Sequence, residues 1–235
     1  MKIEVLFPEI CNLYGELSNI EYLKLCNPDF EVVETSLKDT PLFVEEKPAM
    51  IYLGSMSEKS QEIVLDKLSQ YKDRIEQLVQ DDVVFLVTGN ALELFGDAIE
   101  NEDGSKIQCL GMFNTVAKRK MFNRFNSLYL GSYQDLDVVG FKSQFAHSYG
   151  EYEPLFDTKR GPGLNPDVKG EGLRCHNFMA TYVLGPLLIL NPLFTLEVMK
   201  LMGIEEPHLA HEKAIMESYQ VRLEEFSDPN RGLYY

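Results

Sequence analysis

Three things are scarce in this sequence of 235 residues, and each scarcity argues against a class of function. No apolar run approaches the roughly 20 residues that cross a bilayer, so a helical membrane span is not expected. Basic residues are few: 22 Lys and Arg stand against 37 Asp and Glu, a net charge of −15. The one basic cluster is Lys118-Arg119-Lys120. Nucleic acid and anionic membrane surfaces are therefore poor partners for the chain as a whole. Cysteine is sparse and scattered. Cys11, Cys26, Cys109 and Cys175 form no C-x-x-C pair, which argues against a disulfide framework or a zinc ribbon and for reduced, buried thiols. His208 and His211 are three apart and can share a helix face. With no third ligand near them they read as surface residues, and no metal or cofactor is expected. The first ten residues carry an acid and a proline where a signal peptide needs its apolar region. They read as the first strand of a cytoplasmic α/β domain.

What is present organises itself around residues 83–96, VVFLVTGNALELFG. Val83 to Val87 is an unbroken, mostly β-branched run, the composition of a strand buried on both faces inside a parallel sheet. Thr88-Gly89-Asn90 then turns the chain, a short helix starts at Ala91, and Gly96 ends it. A strand feeding a helix through a tight turn builds sites, because the turn lies at the carboxyl end of the strand. In nucleophile-elbow enzymes the apex residue of such a turn carries the attacking atom. Here the apex is Gly89, which has no side chain.

The flanking segments follow an alternating rhythm. Strands are expected at 2–7, 30–35, 48–54 and 83–87, with a helix opening at Ser18 or Asn19 as its cap. Val64, Leu68, Tyr71, Ile75 and Leu78 recur at spacings of four and three, which reads as one long helix over 58–79. The pattern is that of a mostly parallel sheet with helices on both faces. The second half is richer in strand signals, at 107–110, 121–130, 138–145 and 173–183. Residues 152–172, rich in Gly, Pro and Asp, read as a long surface loop. Asn191-Pro192 opens a further helix, with Asn191 as cap, and the last helix runs from about Leu209 to Phe226. Residues 1–235 show no repeat and no linker, so one domain is the economical reading.

Nucleophilic catalysis needs an activatable Ser or Cys, a base and donors for an oxyanion. Thr88 precedes the apex, and at that position its side chain points back along the strand. Cys109 and Cys175 lie in strand-like runs and read as core. His176 adjoins Cys175, but neighbours in a strand face opposite sides and cannot form a dyad. His147, beside Ser148 at a strand end, reads as a packing or polar-contact residue. Glu93 is the one carboxylate near the turn, on a short helix where solvation accounts for it.

These segments together resemble the class I glutamine amidotransferases of the cobyric acid synthase (CobB/CobQ) type. Within that family the chain looks most like the subunits that amidate cell-wall precursors beside a Mur-ligase-like partner. NLYGELSNIEYLKL, with Asn12, Tyr14, Gly15 and Asn19, is similar to the family's N-x-Y-G-x-x-x-N-I-x-x-L-K. GEGLRCHNFMATYVLGPLLILNP, with Tyr182, Gly185 and Pro186, resembles E-G-x-x-x-x-N-x-x-G-T-Y-L-H-G-P-L-L-x-x-N-P. VVGFKSQFAHS resembles a V-G-F-E-N-H segment, and IYLGSMSEKSQ takes the place of the F-x-G-G-G-Q-D oxyanion loop. The resemblance implies a flavodoxin-like three-layer α/β/α fold with a β-rich second half.

The departures fall on the chemistry. Aligned with the family's I-C-G-G-Y-Q-x-L-G, this chain reads T-G-N-A-L-E-L-F-G: the nucleophilic cysteine maps to Gly89, and the later glutamine to Glu93. The general-base histidine of T-Y-L-H-G-P maps to Leu184. The oxyanion loop keeps Gly54, with Ser55 and Met56 at its next two glycine positions. Gly54, Ser55, Met56, Thr88, Asn90 and Glu93 should then line a degenerate pocket, while Asn12, Tyr14, Gly15, Asn19, Tyr182, Gly185 and Pro186 serve an interface or the fold alone. Three functional classes follow. The first is a non-catalytic scaffold or regulatory subunit of a Mur-ligase-like complex. The second is an amino-acid binder using the emptied pocket, and the third an enzyme whose chemistry has moved to Cys175, His147 or Thr88.

Overall fold

Short apolar strands separated by amphipathic helices can bury both strand faces only by stacking in parallel between two helical layers, and that is the architecture found. The computed structural model describes residues 1–234. The first half runs β1 (Lys2–Leu6), α1 (Ser18–Cys26), β2 (Glu31–Thr35), β3 (Met50–Leu53), α2 (Glu58–Ser69), α3 (Lys72–Gln80) and β4 (Val84–Thr88). The second half contributes β5 (Ala98–Glu100), β6 (Lys106–Gln108), β7 (Thr115–Arg119), β8 (Phe125–Tyr133), β9 (Leu136–Gln144), β10 (Ala146–Gly150), β11 (Phe156–Arg160), β12 (Gly170–Glu171), β13 (Leu173–Cys175) and β14 (Phe178–Thr181), then α4 (Leu187–Leu190), α5 (Pro192–Leu201) and α6 (Glu212–Ser227).

The main sheet has the order β13-β14-β4-β3-β1-β2. Its strands pair in parallel except β13, which runs antiparallel to β14 at the edge. Alternation along β4 divides the core. Phe85 and Val87 join Val64 and Leu68 of α2 and Ile75 and Leu78 of α3 on one side. Val84 and Leu86 join Ile20 and Leu23 of α1 and Phe194 and Val198 of α5 on the other. This is a flavodoxin-like α/β/α arrangement. The remaining strands form two four-stranded sheets, β10-β7-β5-β6 and β12-β11-β8-β9.

Several local expectations need correction. The helix expected over 58–79 is two. The backbone leaves helical geometry at Tyr71 (φ −121°, ψ 14°), whose ring packs edge-on against Phe43 at 5.9 Å. Residues 152–172 are not a surface loop: β11 pairs with β8 and β12, and Leu164, Asn165 and Glu171 are buried. The strand expected over 173–183 is a hairpin, reversed where His176 takes φ +54°. The last helix begins at Glu212 rather than Leu209. His208 and His211 precede it and share no helix face, His211 holding the left-handed cap at φ +54°.

Asn191 holds the N-cap position of α5 as expected, but neither expected asparagine caps its helix with its side chain. Asn12, not Ser18 or Asn19, accepts the Leu17 N–H at the start of α1 (3.0 Å). Asn191 clamps β9 to the α4–α5 corner. Its Oδ1 accepts the Val139 N–H at 2.7 Å, and its Nδ2 donates to the Val139 and Leu187 carbonyls at 2.8 Å each. A side chain bridging separate elements outcompetes a local cap when both ends are buried, because unpaired backbone groups there are costly.

Candidate active site

The site lies where β3 and β4 end side by side. β4 hands over at Thr88 to Gly89, which sits at φ +63°, and the chain continues as a 3-10 turn over Gly89–Phe95 rather than an α-helix. A positive φ at the apex is the strained strand-to-helix turn of an elbow, and glycine adopts it without steric cost. β3 hands over to Gly54-Ser55-Met56, which runs past the apex. Gly54 is confined by the Cys11 carbonyl, against which a side chain would collide. Ser55 fills the space beside the apex: a Cβ built on Gly89 would fall 2.5 Å from the Ser55 Cβ and 3.3 Å from Leu184 Cδ2.

The loop is fastened in that position. Ser55 Oγ donates to the Leu13 carbonyl (3.1 Å), and the Leu13 N–H donates to the Ser55 carbonyl (3.1 Å). Asn90 grips Met56 from both sides, accepting its N–H at 3.0 Å and donating to its carbonyl at 2.7 Å. The Met56 amide is thus already engaged. The cleft that remains between Ser55, Met56, Gly89, Asn90, Gln144 and Leu184 measures about 30 Å³, room for a small number of waters. Among the described residues no cysteine and no histidine lines it.

The other sequence candidates lie elsewhere. Thr88 is fully buried and shares a hydrogen bond with the Tyr52 hydroxyl (3.1 Å). Cys11 is buried beside Met56, its thiol pushed up to about 12 by burial, which keeps it protonated at neutral pH. Cys109 and Cys175 are half-buried against the core. His176 lies at the far end of β14 and contacts Asp82 at 3.0 Å. His147 is held down to about 4, chiefly by burial and then by Lys142 and Lys120, so its ring is neutral.

Two buried carboxylates underlie the site. Glu93, expected in solvent, is 3 % exposed. It accepts from Gln61 Nε2 (3.0 Å) and the Tyr182 hydroxyl (3.3 Å), and burial pushes its pKa up to about 7. Arg119 reaches the same group by donating to Gln61 Oε1 (2.6 Å). Glu16 is fully buried and likewise pushed up to about 7 by burial. Its carboxylate accepts from the Gly185 N–H (3.0 Å) and Asn19 Nδ2 (3.1 Å), and Asn19 Oδ1 accepts the Leu188 N–H (2.8 Å). The N-terminal N-L-Y-G segment and the T-Y-x-x-G-P segment are thereby joined through Glu16 and Asn19. Pro186 follows a cis peptide bond at that junction. Tyr14, by contrast, is exposed at φ +63° next to Gly15, its hydroxyl donating to Ser143 Oγ at 3.1 Å.

Glu16, Gln61 and Arg119 were not singled out from the sequence. Two of them carry a readable signal. Gln61 precedes Val64 and Leu68 at helical spacing, which puts it on the buried face of α2. Arg119 continues the alternation of Thr115 and Ala117, the inward residues of β7.

Comparisons with known proteins bear on the family and the fold. The CobB/CobQ-like glutamine amidotransferase domain matches residues 2–190. The GatD subunit of a glutamine-hydrolyzing lipid II isoglutaminyl synthase from Streptococcus pneumoniae is 27% identical over 199 residues, covering 81% of this chain and 76% of that one. Its counterpart from Staphylococcus aureus is 24% identical over 184 residues, covering 77% and 75%. Among solved structures, one glutamine amidotransferase superposes with a TM-score of 0.57 at 11% identity, covering 86% of this chain and 99% of that one. Another, from Thermotoga maritima, gives 0.51 at 13% identity, covering 97% and 86%.

Proposed function

We propose that this chain, which belongs to the CobB/CobQ-like glutamine amidotransferase domain family, has kept the amidotransferase scaffold without the glutaminase reaction. It acts as a single-domain, non-catalytic scaffold or regulatory subunit of a cytoplasmic Mur-ligase-like complex that amidates a cell-wall precursor. One observation carries this reading: the elbow keeps its left-handed apex, but the apex is Gly89 and the space a thiol would need is taken by Ser55 and Leu184. Acyl transfer to a thiolate requires the sulfur, a base to take its proton, and amides free to face an oxyanion. The aligned positions offer glycine, leucine and an amide engaged by Asn90.

The alternatives draw less support. Small-molecule pockets commonly run to about 300 Å³ or more, and the cleft at the elbow measures about 30 Å³. Relocated chemistry at Cys175, His147 or Thr88 finds no thiol hydrogen-bonded to an imidazole among the described residues. Both relatives are named as subunits of a synthase, which supports a partner, and its Mur-ligase-like character follows from the family resemblance.

Two measurements test the proposal. The purified chain should release no ammonia from glutamine above the buffer rate, and affinity capture from its source cell should recover a Mur-ligase-like protein in stoichiometric amount. Ammonia release by the parent chain would refute the non-catalytic reading. Recovery of the chain alone, with a monomer in light scattering, would refute the partner.

A further inference from the structure

The basic run Lys118-Arg119-Lys120 is divided by strand alternation. On β7, Arg119 points inward to Gln61, while Lys118 on the strand and Lys120 just past its end are exposed. The antiparallel register sets Lys118 opposite His147 and Val116 opposite Tyr149. Arg124 and Phe125 enter from the start of β8. Lys118, Lys120, Arg124, Phe125, His147 and Tyr149 line a cleft of about 520 Å³, separated from the elbow cleft by Arg124 and Phe145, which border both.

Two features make the cleft unusual in a chain of net charge −15. No carboxylate lines it, although Asp167 follows Pro166 at the rim. And among the described residues none of its three cations pairs with a carboxylate. Aromatic faces hold two of them instead. Lys118 Nζ stands 5.3 Å from the Tyr149 ring centroid, and the Arg124 guanidinium 4.5 Å from that of Phe145. A ring positions a cation without neutralising it, whereas a carboxylate would cancel the charge. Three converging, uncancelled charges exceed what a single carboxylate needs. They match an oxyanion carrying two or more charges, for which lysine serves as point charge and arginine as fork.

We propose that this cleft, distinct from the elbow, is a binding site for a phosphate monoester or diphosphate group. Met121 and Phe122 form the turn between β7 and β8 beside it, Phe122 being 93 % exposed. An apolar body attached to the phosphate would meet them, whereas a free phosphate ester would not use them.

The test titrates the full chain with inorganic pyrophosphate by calorimetry, at low and at physiological salt. Binding is expected, weakening as salt rises. Lys118→Gln and Lys120→Gln should each lower the affinity about tenfold. Lys213→Gln, on the exposed face of α6, should leave it unchanged, and circular dichroism should show all three folded. Co-sedimentation with phosphatidylcholine vesicles containing phosphatidic acid separates the sources. Vesicle binding abolished by Phe122→Ser assigns a lipid headgroup, and pyrophosphate binding without vesicle binding assigns a soluble phosphate ester. Absence of binding in both arms overturns the proposal. So does binding that both lysine variants leave intact, or poly-glutamate binding tighter than pyrophosphate, which would make the cleft a protein-docking surface.

Discussion

The Ser55 Cβ stands 2.5 Å from where a Cβ on Gly89 would sit. Two carbons cannot share that space, so the side chain on the loop and the bare apex of the elbow are a coupled pair. Gly89→Ala should destabilise the chain by about 2–4 kcal/mol, combining overpacking with the cost of a side chain at positive φ. In a chain of this size each kcal/mol corresponds to a fall of about 2–4 °C in Tm. Ser55→Gly should recover part of the loss, with a coupling of about 1–3 kcal/mol in a double-mutant cycle read by urea unfolding. Strict additivity would show that the loop yields freely.

The same overlap governs any attempt to install glutaminase chemistry. Gly89→Cys with Leu184→His supplies a thiol and an imidazole but leaves Ser55 against the new Cβ. This double variant should release no ammonia from glutamine and should unfold at lower temperature than the parent. Adding Ser55→Gly should restore part of the stability. Removing the Asn90 clamp on the Met56 amide is the further step needed before any turnover is seen, since groups acting as one catalytic unit do not contribute separately. Turnover by the double variant alone would show the loop to be displaceable.

Glu93 makes stability depend on pH. Its folded pKa, about 7, lies above the ordinary carboxylate value of 4.5. The folded chain therefore binds more protons than the unfolded chain between those values, and stability falls as pH rises through that window. Glu16 contributes with the same sign. Glu93→Gln removes one titration and keeps an acceptor for Gln61. The variant should lose less stability than the parent between pH 5 and 7.5, by up to about 3 kcal/mol, in parallel urea titrations. Parallel curves would place Glu93 in contact with solvent.

Lys142 and Glu171 form an ion pair with no exposed surface on either side chain. Lys142 also donates to the Pro162 and Gly163 carbonyls (3.1 and 2.7 Å), and Glu171 accepts from Thr181 Oγ1 and the Tyr182 N–H (2.9 Å each). Lys142→Met should cost about 3–5 kcal/mol, because it strands a buried carboxylate. A cost under 1 kcal/mol in chemical denaturation would mean that water reaches the pair.

Much of this protein was legible without coordinates. The alternation over 2–7 and the apolar runs within 48–54 and 83–87 dictate strands, and the spacing of Val64, Leu68, Ile75 and Leu78 dictates helix against them, because both periods are properties of the local backbone. The turn at Gly89 and the family resemblance are equally local. What only the tertiary structure decided is which polar groups leave water. Glu93 meets Tyr182 from 89 positions away and Glu16 meets Gly185 from 169, and nothing near either glutamate announces its partner. The same holds for Asn19 and Asn191, whose local sequence reads as caps and whose side chains instead bridge distant elements. A cap depends on the next few residues, whereas a buried bridge depends on which remote backbone groups folding leaves without a partner.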